Sequence, residues 1–141
     1  MLSALRKLLG VSAIAGLAIA VAGAGTAQAE AAPGCSSTVQ IGSTAHVTFQ
    51  GQTIASVKQF KGCGKNWAYI YVWQQYASTH SDFTASAYID AGTDPLGFNR
   101  GAKGQREVWS YGTNTLSICT KAGGDIVSPT VIAGAETDKR C

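Results

Sequence analysis

From residue 43 onward the chain alternates apolar and polar positions in short runs, and no segment carries the period of an amphipathic helix. STAHVTFQ (43–50) and QTIASVKQF (52–60) flank a turn at Gly51. WAYIYVW (67–73) follows the turn-rich KGCGKN. DFTASAYI (82–89) sets Phe83, Ala85, Ala87 and Ile89 against Asp82, Thr84, Ser86 and Tyr88. REVWSY (106–111), TLSICTK (115–121) and DIVSPTVIA (125–133) complete the set. Pro129 makes the last of these an edge strand or two short pieces, because it cannot donate to a ladder. Gly, Asn, Asp and Ser fill the gaps, as turn chemistry requires. About seven short strands with frequent turns predict an all-β fold, a single antiparallel β-sandwich or small barrel. DAGTDPLGFNRGAKGQ (90–105) is the one long irregular stretch and reads as an exposed loop.

The first 29 residues follow a different pattern. Arg6 and Lys7 precede an apolar run from Val11 to about Ala24, and Ala27-Gln28-Ala29 supplies a small-x-small exit. That order describes a secretory signal peptide, with cleavage between Ala29 and Glu30. Gly23 and Gly25 interrupt the run, which is too short for a permanent helical anchor. No stable membrane insertion is therefore expected after cleavage. The domain is then 30–141, a chain of 112 residues with room for one core.

Removal of the leader changes the charge. Of 11 Lys+Arg, Arg6 and Lys7 leave, so nine basic side chains face eight acidic ones, a net of +1. A nearly neutral domain lacks the basic footprint of a nucleic-acid binder. The exported part holds Cys35, Cys63, Cys119 and Cys141, an even count that implies two disulfides. Three pairings are possible. Cys35–Cys63 and Cys119–Cys141 are favoured, since each would fasten a chain end to an interior strand. Cys35 also follows Ala-Ala-Pro-Gly, loosely like a lipoprotein cleavage site, but lipidation would leave an odd number of cysteines.

Within 67–73, Trp67, Tyr69, Tyr71 and Trp73 occupy every second position. In a strand they share one face, with rings about 6.6 Å apart along it. With Ala68, Ile70 and Val72 toward the core, that row would meet solvent and could stack on the apolar faces of sugar rings. The alternative buries the rings under a second sheet or the 90–105 loop, the commoner fate of aromatic side chains. Other constellations are weaker. His80-Ser81-Asp82 offers two ligands on one strand face, fewer than zinc requires. Asp90 and Asp94 start an EF-hand-like spacing that Gly92, Pro95 and Gly101 break, and as a glycosidase pair they lack apolar surroundings. Arg100, Lys103 and Arg106 read as solvated charges on a Gly-rich loop. Oxidised cysteines are inert as nucleophiles, so no catalytic residue, metal or cofactor is assigned.

Two short stretches resemble known groups of small exported actinobacterial domains. Cys63-Gly-Lys-Asn-Trp67-Ala68 is similar to the C-x-x-x-W-A core of the YjfA-like secreted domains of unknown function. Trp109-Ser110-Tyr111, Cys119, Gly123-Gly124 and Cys141 resemble the later part of spore-associated protein A. Each resemblance covers part of the chain and implies a secreted, disulfide-held β-domain without established catalytic residues. The expected function is a non-enzymatic contact protein outside the cell, at the surface, wall or spore coat, with a wall glycan or surface protein as partner. A carbohydrate-binding module using the aromatic strand is the alternative, and a small hydrolase or inhibitor using the 90–105 loop is a third class.

Overall fold

The structure, a computed structural model, describes residues 30–141. The expected leader lies outside the described residues. Eight strands among them form two four-stranded antiparallel sheets. In chain order these are β1 (Val39–Phe49), β2 (Gln52–Gly62), β3 (Lys65–Val72), β4 (Thr84–Asp90), β5 (Leu96–Arg100), β6 (Glu107–Trp109), β7 (Lys121–Val127) and β8 (Ile132–Glu136). One short helix, α1 (Gln74–Ala77), follows β3. The first sheet runs β1-β2-β3-β6 and the second β5-β4-β7-β8, so the predicted sandwich is found and the barrel alternative is not. No helix among the described residues is long and apolar enough to cross a membrane.

Local chemistry explains the first sheet. Two-residue turns join β1 to β2 and β2 to β3, and in both turns the two central residues have positive φ: Gln50 and Gly51, then Cys63 and Gly64. That backbone matches the right-handed twist of the flanking strands and sets a tight register. From Gly62↔Lys65 the ladder runs unbroken to Ala55↔Val72. It turns Ala68, Ile70 and Val72 inward, all fully buried, against Ala85, Ala87 and Ile89 of β4. Gly124 of β7 faces Val57 and Ile70 across the sandwich, and a Cβ there would lie 2.8 Å from Val57 Cγ2. The sheets approach this closely because that position has no side chain.

Two expectations are corrected, for 115–121 and 90–105, and the two-piece alternative for 125–133 is found. The stretch 115–121 is a turn: Ile118 N–H donates to Thr115 O, Leu116 and Ile118 are exposed, and β7 begins only at Lys121. Its alternation is genuine, but Cys119 is bonded to Cys141 and the adjacent Thr120 pairs only with Arg140 in an isolated bridge. The run 125–133 is two strands, β7 and β8, divided by a turn in which Ser128 Oγ accepts from the Thr130 and Val131 N–H groups. The 90–105 stretch contains β5, which pairs with β4 through a bulge between Ala87 and Ile89. Its Gly and Pro content hid a strand whose Gly97 has positive φ and packs against Tyr111 O.

The disulfides are Cys35–Cys63 and Cys119–Cys141. They fasten the chain ends to connections, not to interior strands: Cys63 is in the β2–β3 turn and Cys119 precedes β7. One polar cluster has no counterpart in the sequence reading. Gln59 and Asn66 are buried together, with Gln59 Nε2 donating to Asn66 Oδ1 at 3.0 Å and to Thr120 Oγ1 at 2.8 Å. Asn66 Nδ2 in turn donates to Thr115 Oγ1 and Thr120 Oγ1 at 3.0 and 2.9 Å. The amides are tied to each other and to hydroxyls of the connection between β6 and β7, which makes their burial tolerable.

Candidate functional site: the aromatic face of the first sheet

Because Ala68, Ile70 and Val72 occupy the core, the rings of Trp67, Tyr69 and Tyr71 project from the opposite face of β3, and Trp73 follows just past its end. Their fates differ along the strand. Trp67 and Tyr69 retain 9% and 2% of their surface, whereas Tyr71 and Trp73 are half-buried. The cover at the Trp67 end comes from two sources. Phe60 of β2 and Trp109 of β6 stand on the same face, with the Tyr69 and Trp109 ring centroids 4.6 Å apart and Phe60 and Trp109 5.1 Å apart. Above them lies the N-terminal segment, whose Ala32 and Cys35 are buried in this second cluster and which Cys35–Cys63 pins down. The four-ring wall is therefore not a uniform platform. It runs beneath a flap and emerges at Tyr71 and Trp73.

At the emergent end an open groove of about 710 Å³ is lined by Lys58, Phe60, Tyr69, Tyr71, Trp73 and Glu107, with Glu30 and Thr38 of the N-terminal segment on its other side. Its charges are already engaged. Lys58 Nζ pairs with Glu30 Oε1 at 2.6 Å, and the Tyr69 hydroxyl donates to Glu107 Oε1 at 2.7 Å. Trp73 Nε1 donates to Ser56 Oγ at 2.9 Å, and His46 meets the Trp73 ring edge-on. Phe60, Trp109 and Glu107 were missed as members of this face. The signal was the register itself, which sets Phe60 opposite Trp67, Trp109 opposite Tyr69 and Glu107 opposite Tyr71.

The remaining candidates are scattered. His80 follows α1 instead of lying on a strand face, and it stacks on Tyr76 at 4.2 Å while its Nδ1 lies 3.1 Å from Tyr76 O. Asp90 Oδ1 accepts from the Gly92 N–H, which makes it a turn residue. Arg100 and Arg106 diverge: Arg100 lies over Phe98 on the second sheet, whereas Arg106 reaches Tyr71. All four cysteines are in disulfides. A second hollow of about 550 Å³, near Arg140 and Leu116, is floored by Asn66 and Thr120, whose polar atoms already bond to one another.

Burial sets the ionisation of this face. The Tyr69 phenol is pushed far above its ordinary value, first by burial, then by its hydrogen bond to Glu107 and by that carboxylate's charge. Tyr88, on the second sheet, is pushed up to about 12 by burial and by Asp125, Glu136 and Asp90. A phenol whose folded-state pKa exceeds its unfolded value stabilises the fold below that unfolded value, about 10, and loses the contribution as pH rises above it. Alkaline unfolding is thus expected to begin near pH ~10. Tyr69→Phe should flatten that loss, as followed by circular dichroism against pH.

Comparisons with protein-family profiles, with curated proteins and with solved structures return no match.

Proposed function

We propose that the protein is an exported β-sandwich that works by contact, with the groove beside Tyr71 and Trp73 as its contact surface and a glycan of the cell surface, wall or spore coat as ligand. The observation that carries this reading is the gradient along β3. One end of the aromatic row is sealed by the flap and supplies stability, while the other leaves two half-buried rings at an open groove edged by carboxylate and ammonium groups. Rings of this kind present flat apolar surface to a sugar, and the polar rim satisfies hydroxyls. Contact without turnover is supported by the engagement of both groove carboxylates, Glu30 with Lys58 and Glu107 with Tyr69. The two disulfides suit an oxidising, extracellular setting, and the resemblance to exported domains points the same way.

Retention on insoluble peptidoglycan, chitin and cellulose tests the reading. The wild-type protein is expected to be retained on at least one of them. Tyr71→Ala/Trp73→Ala should reduce retention about tenfold or more, in line with 1–3 kcal/mol for each stacked ring on a planar ligand. Equal retention of the variant, or none of the wild type, would count against the groove.

A further inference from the structure

We infer that Arg106 forms a seat for a carboxylate at the mouth of the groove, so that the glycan it takes is an acidic one. This rests on the groove being a glycan site. Arg106 lies in the connection just before β6 and is held by three neutral acceptors on the end of β3 and the start of α1. Its Nε donates to Val72 O at 3.0 Å, Nη1 to Gln74 Oε1 at 2.6 Å and Nη2 to the Tyr71 hydroxyl at 2.6 Å. The guanidinium carbon also lies 4.9 Å from the Tyr71 ring centroid. The group is thereby fixed in place while keeping its full charge.

What it lacks is an anion. Among the described residues the ion pairs are Lys58 with Glu30 and Lys121 with Glu136, and Arg106 has none. The neighbouring Glu107 accepts from Tyr69 and forms no ion pair with Arg106. A guanidinium has five N–H donors. Three are engaged, which leaves one on each terminal nitrogen. Arg106 borders an opening of about 680 Å³ with Tyr71, Gly104, Gln105 and Glu107, and Tyr71 and Glu107 line the main groove as well. A sugar in the groove beside Tyr71 and Trp73 would bring a ring carboxylate toward a pre-oriented cation that has no ion-pair partner. Guanidinium groups bind carboxylates through paired, charge-assisted hydrogen bonds. A neutral sugar would leave that charge without a partner.

The test compares a galacturonic acid hexamer with its methyl ester, which has the same backbone but no charge, by calorimetric titration of the secreted, oxidised protein. The acid is expected to bind about tenfold tighter or more, the effect of a charge-assisted pair. Arg106→Gln should bind acid and ester alike, and Arg106→Lys should retain part of the preference. Circular dichroism and melting of both variants separate loss of the seat from loss of the fold. Equal binding of acid and ester by the native protein, or a preference that survives Arg106→Gln, overturns the carboxylate seat while leaving the glycan reading intact. If neither hexamer binds, sodium acetate decides by nuclear magnetic resonance. A saturable shift of the Arg106 Nε–H signal keeps the seat and excludes polygalacturonate as its ligand. An unmoved signal overturns the seat.

Discussion

Replacing Cys35 and Cys63 together by serine is expected to lower the stability of the domain by about 3–4 kcal/mol. The bridge closes a loop of 28 residues, and the chain-entropy estimate for such a loop is about 3.6 kcal/mol. This bridge also has work in the folded state that entropy alone does not describe. Cys35 is buried in the same cluster as Ala32, Phe60, Trp67 and Tyr69, so its sulfur pins the flap that seals the aromatic row. Without the bridge that flap retains Ala32 packing, the Lys58–Glu30 pair and a Thr38 hydroxyl bond to Glu30 O. A single partly solvated ion pair contributes little. The flap should lift, and Trp67 should be uncovered. Urea denaturation followed by tryptophan fluorescence checks both effects. A large drop in midpoint with a red-shifted native emission is expected. An unchanged midpoint would mean that the flap is held by packing alone.

The second large effect is expected at Asn66. Its side chain is almost fully buried, accepts from Gln59 and donates to Thr115 and Thr120. Asn66→Ala removes three hydrogen bonds and leaves the Thr115 hydroxyl and the Gln59 amide short of partners. Each net bond contributes about 1 kcal/mol, and a buried group left unpaired costs about 1–3 more. The three bonds alone set a loss of at least about 3 kcal/mol, without any change to the groove. Chemical denaturation measures the loss. Amide exchange should show faster opening at Asn66 and Thr113, whose backbones form an isolated pair beside this cluster. A loss below about 1 kcal/mol would mean that water replaces the amide there.

These two residues mark the limits of what the sequence revealed. The all-β class and the existence of two disulfides were legible, because two-residue alternation and an even cysteine count are local signals. The favoured pairing, by contrast, was one of three and rested on an attachment to interior strands that the structure does not have. Which face of β3 turns inward was left open by the alternation alone, and the structure places Ala68, Ile70 and Val72 in the core. Burial of aromatic rings was the commoner expectation, but what covers Trp67 and Tyr69 was not legible, since neither the second sheet nor the 90–105 loop does so. The cover depends on Trp109, 42 positions beyond Trp67, and on a flap that has no strand pattern. Asn66 looked like a turn residue within KGCGKN, because nothing local shows that Thr115 and Thr120 fold back upon it. Likewise β5 was hidden in a Gly- and Pro-containing stretch whose strand character comes only from pairing with β4. Arg106 looked like one of three loop charges, and only the structure sets it beneath the Tyr71 hydroxyl, away from Arg100.

The contact claim is tested most directly by mapping where oligosaccharides touch the protein. Trp73 and Trp67 have indole N–H groups bonded to different partners, Ser56 Oγ and Gly62 O, so their nuclear magnetic resonance signals report separately on the open and sealed ends of the row. With soluble peptidoglycan, chitin or cellulose fragments, the Trp73 signal should shift saturably while the Trp67 signal stays in place. Saturable shifts confined to the second sheet, or no shift at Trp73 with any of the three, would contradict the account.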